Sequence, residues 1–85
     1  MLPIENRTQL RILKTLTEIP TGLNLGQLQK KLNTTYKVLA RNLEELKQKE
    51  LIEERRYGKR IRIFQLNKKN PKTKLIIKLF TEEEE

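Results

Sequence analysis

Residues 24–47, NLGQLQKKLNTTYKVLARNLEELK, decide the fold. Asn24 is followed three residues later by Gln27, the spacing of a capping box, in which each side chain bonds the other residue's backbone N–H. Leu25, Leu28 and Leu32 then share one face of a helix of about two turns, too short to persist without tertiary support. Asn33-Thr34-Thr35 is a cluster of capping residues, and a second helix runs from Tyr36 to about Lys49. At ~100° per residue, Leu39, Leu43 and Leu46 fall within about 60° of one another, Lys37, Arg41 and Gln48 lie on the opposite side, and Val38 flanks them. Two helices, each with one leucine face, therefore meet across a three-residue turn.

Toward the N-terminus, Leu10, Ile12, Leu13 and Leu16 have helical spacing within Glu5–Glu18, with Arg7, Arg11 and Lys14 outside. Pro3 stands near the start, where proline is tolerated, and Pro20-Thr21-Gly22 ends the segment. Leu23 offers a short strand residue ahead of Asn24. Toward the C-terminus, Leu51-Ile52 opens a strand that reaches Arg56 or Tyr57, Gly58-Lys59 makes a two-residue turn, and Arg60–Leu66 returns. Arg62, Phe64 and Leu66 lie on one face of the returning strand and Ile61 and Ile63 on the other, so both faces are expected to find cover. Asn70-Pro71 supplies an N-cap and a proline at the first helical position, and Leu75, Ile76, Leu79 and Phe80 form a stripe on a helix that ends near Phe80. The order α-α-α-β-β-α is an α+β fold, mainly α: three helices, a β-hairpin and a C-terminal helix. Residues 1–81 make one domain, and Glu82–Glu85 are expected to form a disordered acidic tail.

A chain of 85 residues holds one domain, and at this size a single core is marginal. The sequence contains no His, Cys, Asp, Ser or Trp. That removes the usual general base, the thiol and hydroxymethyl nucleophiles and the main zinc ligands, so no enzyme, no metal and no cofactor is expected. Apolar runs are three residues or shorter, which excludes a membrane-spanning helix. Met1–Glu5 lacks the basic start and apolar run of a signal peptide, which points to a cytoplasmic protein. Charge is the positive signal: 19 basic residues stand against 11 acidic ones, and four of the acids are Glu82–Glu85, so residues 1–81 carry a net +12. A body that basic suits a polyanion, above all nucleic acid. A thermophile surface is also rich in Lys and Glu, but such a surface balances its signs and this one does not. The Lys, Glu and Ile bias fits a thermophilic archaeal or archaeal-virus source.

Gly22–Leu66 resembles a winged-helix (helix-turn-helix) DNA-binding domain, similar to the small archaeal type of transcription regulators in the multiple-antibiotic-resistance and arsenical-resistance repressor group. The likeness is carried by Leu25-Gly26-Gln27-Leu28, by Tyr36 through Leu46, whose end is a Leu-x-x-Leu segment (Leu43–Leu46), and by Glu50-Leu51-Ile52-Glu53 ahead of a basic hairpin with glycine at its tip. The resemblance implies a sequence-specific double-stranded DNA-binding transcription regulator, a repressor, acting as a homodimer. Its recognition helix, 35–49, would enter the major groove and its basic wing, 53–66, would lie on the backbone or in the minor groove. The chain departs from the family at Val38 and Ala40, where hydroxyl residues are common, and lacks the Cys and His of metal sensors and the extra helices of drug sensors, so no small-molecule effector is expected.

On DNA, Arg41 is the candidate base reader, because its planar fork can bond guanine O6 and N7 together; the rival role is a phosphate clamp. Lys37 suits phosphate, Val38 lies on the same outer face, and Tyr36 divides between core and phosphate. Asn42 stands on the inward edge, where packing against another helix competes with reading adenine. Thr34 and Thr35 cap the helix and can hold a phosphate at its N-terminus. Arg55, Arg56, Lys59, Arg60 and Arg62 crowd the wing, a density that a charged edge guarding against aggregation would not need. Leu10 on the first helix and Leu75, Ile76, Leu79 and Phe80 on the last are the candidate dimer interface; the rival is that the last helix folds back on Ile61 and Ile63. Two other functional readings are carried alongside: an architectural, nucleoid-associated protein without sequence preference, and a winged helix used as an RNA- or protein-interaction module.

Overall fold

Seven elements follow one another in chain order: α1 (Arg7–Glu18), β1 (Leu23–Asn24), α2 (Leu25–Leu32), α3 (Tyr36–Gln48), β2 (Ile52–Tyr57), β3 (Ile61–Leu66) and α4 (Pro71–Glu83). The structure is a computed structural model and describes residues 6–83. Pro3, the Glu5 start of the first helix, and Glu84 and Glu85 lie outside the described residues.

Local chemistry sets each helix boundary. Asn6 caps α1, its side chain accepting from the Gln9 N–H at 3.2 Å. The capping box of α2 is complete: Gln27 N–H donates to Asn24 Oδ1 at 2.8 Å and Asn24 N–H to Gln27 Oε1 at 2.9 Å. Asn33, at φ 50, ends α2 in the left-handed conformation that Asn tolerates, and Arg11 Nη2 donates to the Leu32 carbonyl at 2.9 Å. Thr35 caps α3. At the other end of α3 the Leu51 N–H returns to the Leu46 carbonyl and the Glu50 N–H to the Lys47 carbonyl, a Schellman motif whose left-handed position holds Glu50 at φ 60 rather than glycine. Asn70 Oδ1 accepts from the Lys72 N–H ahead of α4. That helix runs past Phe80, where the sequence stripe ends, to Glu83: no Gly or Pro interrupts it, and Glu is a good helix former.

The strands form an antiparallel sheet in the order β1-β3-β2, with Leu23 opposite Phe64 and Ile52 opposite Leu66. Tyr57 pairs with Ile61, so the hairpin loop holds Gly58, Lys59 and Arg60, three residues and not the two expected. The apolar pattern forces this. A two-residue turn would slip the pairing by one, set Ile52 opposite Gln65 and Glu53 opposite Phe64, and turn one apolar set away from the core. Gly22 is needed where α1 hands the chain to β1. Its φ is +90, and a Cβ there would stand 2.7 Å from Ile63 Cγ2 and 2.8 Å from the Phe64 carbonyl oxygen.

The core joins Ile12, Leu13 and Leu16 of α1 to Leu28 and Leu32 of α2, Leu39, Leu43 and Leu46 of α3, and Leu51, Ile52, Phe64 and Leu66 at the sheet. Each fully buried leucine contributes about 1.5–3 kcal/mol. The second face of the hairpin is covered only in part, a correction: Phe64 and Leu66 are buried on the first face, whereas on the second Ile63 is half-buried and Ile61 is 52% exposed. The Gly22 turn lies over Ile63, and α4 packs on α1. Ile76 of α4 is a buried core residue, 1% exposed, and Ile77 and Phe80 pack partly against the core.

Candidate nucleic-acid interface

The register of α3 divides its residues into two populations. Leu39, Leu43 and Leu46 are buried, and with them Asn42 at 2% exposure. Thr35, Tyr36, Lys37, Val38 and Arg41 are exposed on the opposite side, and Thr34 is half-buried. Among the described residues no ion pair or side-chain hydrogen bond engages Lys37 or Arg41. Tyr36 is exposed and does not share the core, and the Thr35 hydroxyl accepts from the Val38 N–H at 3.3 Å. Glu44 and Glu45 follow on the C-terminal half; Glu44 pairs with Lys47 at 3.6 Å.

Asn42 does not face the surface, which removes it as a base reader. Its Oδ1 accepts from Asn6 Nδ2 at 3.0 Å and from Gln9 Nε2 at 3.1 Å, and its Nδ2 donates to the Val38 carbonyl at 2.8 Å. Gln9 in turn donates to Glu45 Oε2 at 2.5 Å and accepts from Lys49 Nζ at 3.2 Å. This polar network fixes α3 against α1, and none of its buried side-chain atoms lacks a partner. A sequence signal for it exists: Gln9 stands in step with Ile12, Leu13 and Leu16, a polar residue at a core position on each of two helices.

The wing is divided in the same way. Arg55, Arg56, Lys59 and Arg60 are exposed, while Arg62 is half-buried. Glu54, which alternation from Ile52 turns inward, has a side chain only 4% exposed. Its carboxylate accepts from Arg62 Nε at 2.7 Å and Nη2 at 3.1 Å, from Arg56 Nε at 2.9 Å and from Lys47 Nζ at 2.8 Å. The bidentate Arg62 contact is the main reason the carboxyl is held well below the usual carboxylate range; burial opposes the shift, and Lys47 and Arg56 add to it. The same contact raises the Arg62 guanidinium above its ordinary value, and Arg62 also lies 5.2 Å from the centroid of the Phe64 ring. One buried carboxylate thus links α3, β2 and β3. Two of the five expected wing contacts, Arg56 and Arg62, are ion-paired to Glu54 of the same chain, with the Arg56 side chain still 70% exposed. Arg55 has only a loose pairing with Glu53 at 3.8 Å; among the described residues Lys59 and Arg60 have none.

Of the candidate dimer residues, Leu75 is 56% exposed, Leu10, Leu79 and Phe80 are half-buried, and Leu10 and Phe80 pack partly on the core. Ile76 is a core residue of its own chain, which removes it from the interface. Among the described residues no His/Cys/Asp/Glu cluster could hold a metal ion, and no helix is long and apolar enough to cross a membrane.

No protein-family model matches the sequence, and no curated protein does. Solved structures do match in shape. HlyU from Vibrio cholerae superposes with a TM-score of 0.79 at 23% identity, over 93% of this chain and 80% of that one. The transcriptional repressor BigR from Xylella fastidiosa gives 0.80 at 20% identity, over 92% and 73%. MepR, a transcription regulator of the Staphylococcus aureus multidrug efflux pump MepA, gives 0.75 at 22% identity over 93% of this chain but 60% of its own length. At these identities the likeness establishes architecture: the chain has the winged-helix fold, with α2 and α3 as its helix-turn-helix and the β2–β3 hairpin as its wing.

Proposed function

We propose that the chain is a sequence-specific double-stranded DNA-binding transcription regulator, a repressor, that acts as a homodimer in the cytoplasm. The observation that carries the proposal is the outer face of α3, where Lys37, Val38 and Arg41 stand exposed with both cations free of internal partners among the described residues. A helix with such a face fits the major groove, where Arg41 reads guanine and Lys37 meets phosphate. Thr34, Thr35 and Tyr36 add phosphate contacts at the start of α3, and Arg55, Lys59 and Arg60 carry the wing along the adjacent backbone. In the proposed dimer the exposed Leu75 of α4, with Leu10, Leu79 and Phe80, covers its counterpart, and two recognition helices address half-sites ~10 bp apart.

Selection from a randomised duplex pool, followed by competition against random duplex and structured RNA, tests this reading. The selected site should bind at least ~10³-fold more tightly than random duplex. A ratio near one would make the protein an architectural coat, and equal affinity for structured RNA would make the fold an RNA module.

A further inference from the structure

Arg56 and Arg62 are directly opposite each other across the β2–β3 ladder. Like charges in that position destabilise a sheet, and here the pair persists because Glu54, two residues along on the same face, accepts from both. The guanidiniums converge on a single anion, and that anion belongs to the protein. Lys47 of α3 converges on it too, so the carboxylate joins the recognition helix to the wing. Given the proposed DNA reading, on which this inference rests, we infer that Glu54 is a positioning residue: it occupies the place a backbone phosphate would take, withholds Arg56 and Arg62 from sequence-independent contact, and leaves contact on this wing to Arg55, Lys59 and Arg60.

The consequence concerns sequence-independent affinity. Phosphate contacts add affinity for every sequence alike, so cations withheld from phosphate lower random-duplex binding and its salt dependence while leaving the base contacts untouched. Removing the carboxylate charge reverses this. In Glu54→Gln the two facing arginines lose their internal anion, and a DNA phosphate supplies the replacement.

The experiment measures affinity for a random 20-bp duplex as a function of salt, with thermal unfolding of each variant as the control for folding. Glu54→Gln should steepen the plot of log affinity against log salt by about 0.9–1.8, one to two additional phosphates, and bind random duplex more tightly at low salt. Glu54→Asp, which keeps the charge, should retain the wild-type slope. If Glu54 only held the fold together, Glu54→Gln would lose stability and affinity with the slope unchanged, and the inference would be overturned. Should Glu54→Gln fail to fold, Arg62→Gln decides, because Glu54 still holds Arg56 and Lys47 there. An unchanged slope supports withholding, whereas a slope flatter by ~0.9 shows that Arg62 was on phosphate all along. A wild-type protein that binds duplex no better than it binds structured RNA would sink the DNA reading and this inference with it. Wild-type duplex binding with an unaltered Glu54→Gln slope would sink this inference alone.

Discussion

Arg41 and Asn42 are neighbours in sequence, and their substitution by alanine should have opposite effects. Arg41 is exposed and free of internal partners among the described residues, so its removal should change stability by no more than ~0.5 kcal/mol. If it reads guanine with both donors, its loss costs about 1–3 kcal/mol per half-site. A dimer loses two such interactions, about 2–6 kcal/mol, or roughly 30-fold to more than 10⁴-fold in affinity for the preferred site. Asn42→Ala removes two hydrogen bonds between α1 and α3, at about 1 kcal/mol each, and leaves a small void. Glu45 still satisfies Gln9 Nε2, and alanine returns about 0.5 kcal/mol of helix propensity. The net cost is about 1.5–3 kcal/mol, against the ~4–13 kcal/mol expected of a domain this size, and the melting temperature should fall by about 6–24 °C. Calorimetry and titration of fluorescent duplex, the latter carried out well below both melting temperatures, separate the two. A stable Asn42→Ala that loses site preference, or an Arg41→Ala that loses selected and random duplex equally, would refute the division of α3 into an inner and an outer face.

Four further outcomes follow from the same structure. Leu75→Glu should leave the fold intact, because the residue is exposed, and should give monomers near 10.2 kDa by light scattering; a persisting dimer would exclude α4 as the contact. Lys59→Ala combined with Arg60→Ala should flatten the salt dependence by ~0.9 for each phosphate that the wing no longer meets, and an unchanged slope would take the wing tip out of the interface. Gly22→Ala should destabilise by about 2–5 kcal/mol in chemical denaturation, since it adds left-handed strain to a clash with the Phe64 carbonyl that only backbone movement relieves. Glu54 has a depressed folded-state pKa, so its stabilising effect is complete above the unfolded carboxylate value near ~4.3 and is lost as pH falls below it; unfolding titrations of Glu54→Gln should show a weaker loss of stability on acidification than those of the wild type.

The helices were legible because their determinants lie within a few residues. The Asn24–Gln27 box, the Thr35 cap and the leucine period of residues 39–46 act over one or two turns, and the structure places α2 and the start of α3 where those signals put them. What escaped was the pairing of polar groups distant in sequence. Nothing near Asn42 announces that Asn6 and Gln9 will meet it, and nothing near Arg62 announces Glu54, because those bonds form only after α1 has crossed α3 and β3 has returned along β2. The hairpin loop illustrates the boundary between the two. Gly58-Lys59 alone favours a two-residue turn, yet the phase relation between Ile52 and the pair Phe64 and Leu66 requires three. The apolar stripe of the last helix was visible too, but a one-dimensional pattern cannot say which of Leu75 and Ile76 meets the core of its own chain.

Charge acts here at two ranges, and the structure separates them. The field around residues 1–81 is set by their whole net charge of +12, since at a screening length of ~8 Å a cation bound to Glu54 still contributes to the potential met by an approaching polyanion. Contact is narrower: Lys47, Arg56 and Arg62 are already engaged within the protein, while Lys37, Arg41, Lys59 and Arg60 are exposed and free of internal ion pairs among the described residues. With Arg41 on a base, the proposed complex therefore draws its salt dependence from the three remaining free cations of α3 and the wing, Lys37, Lys59 and Arg60, joined by Arg55 when Glu53 releases it, so its slope should be near ~3–4 phosphates per chain and not the dozen its net charge suggests. A small basic domain can in this way be attracted quickly to any duplex and still hold most sequences weakly, a combination that net charge alone would not produce.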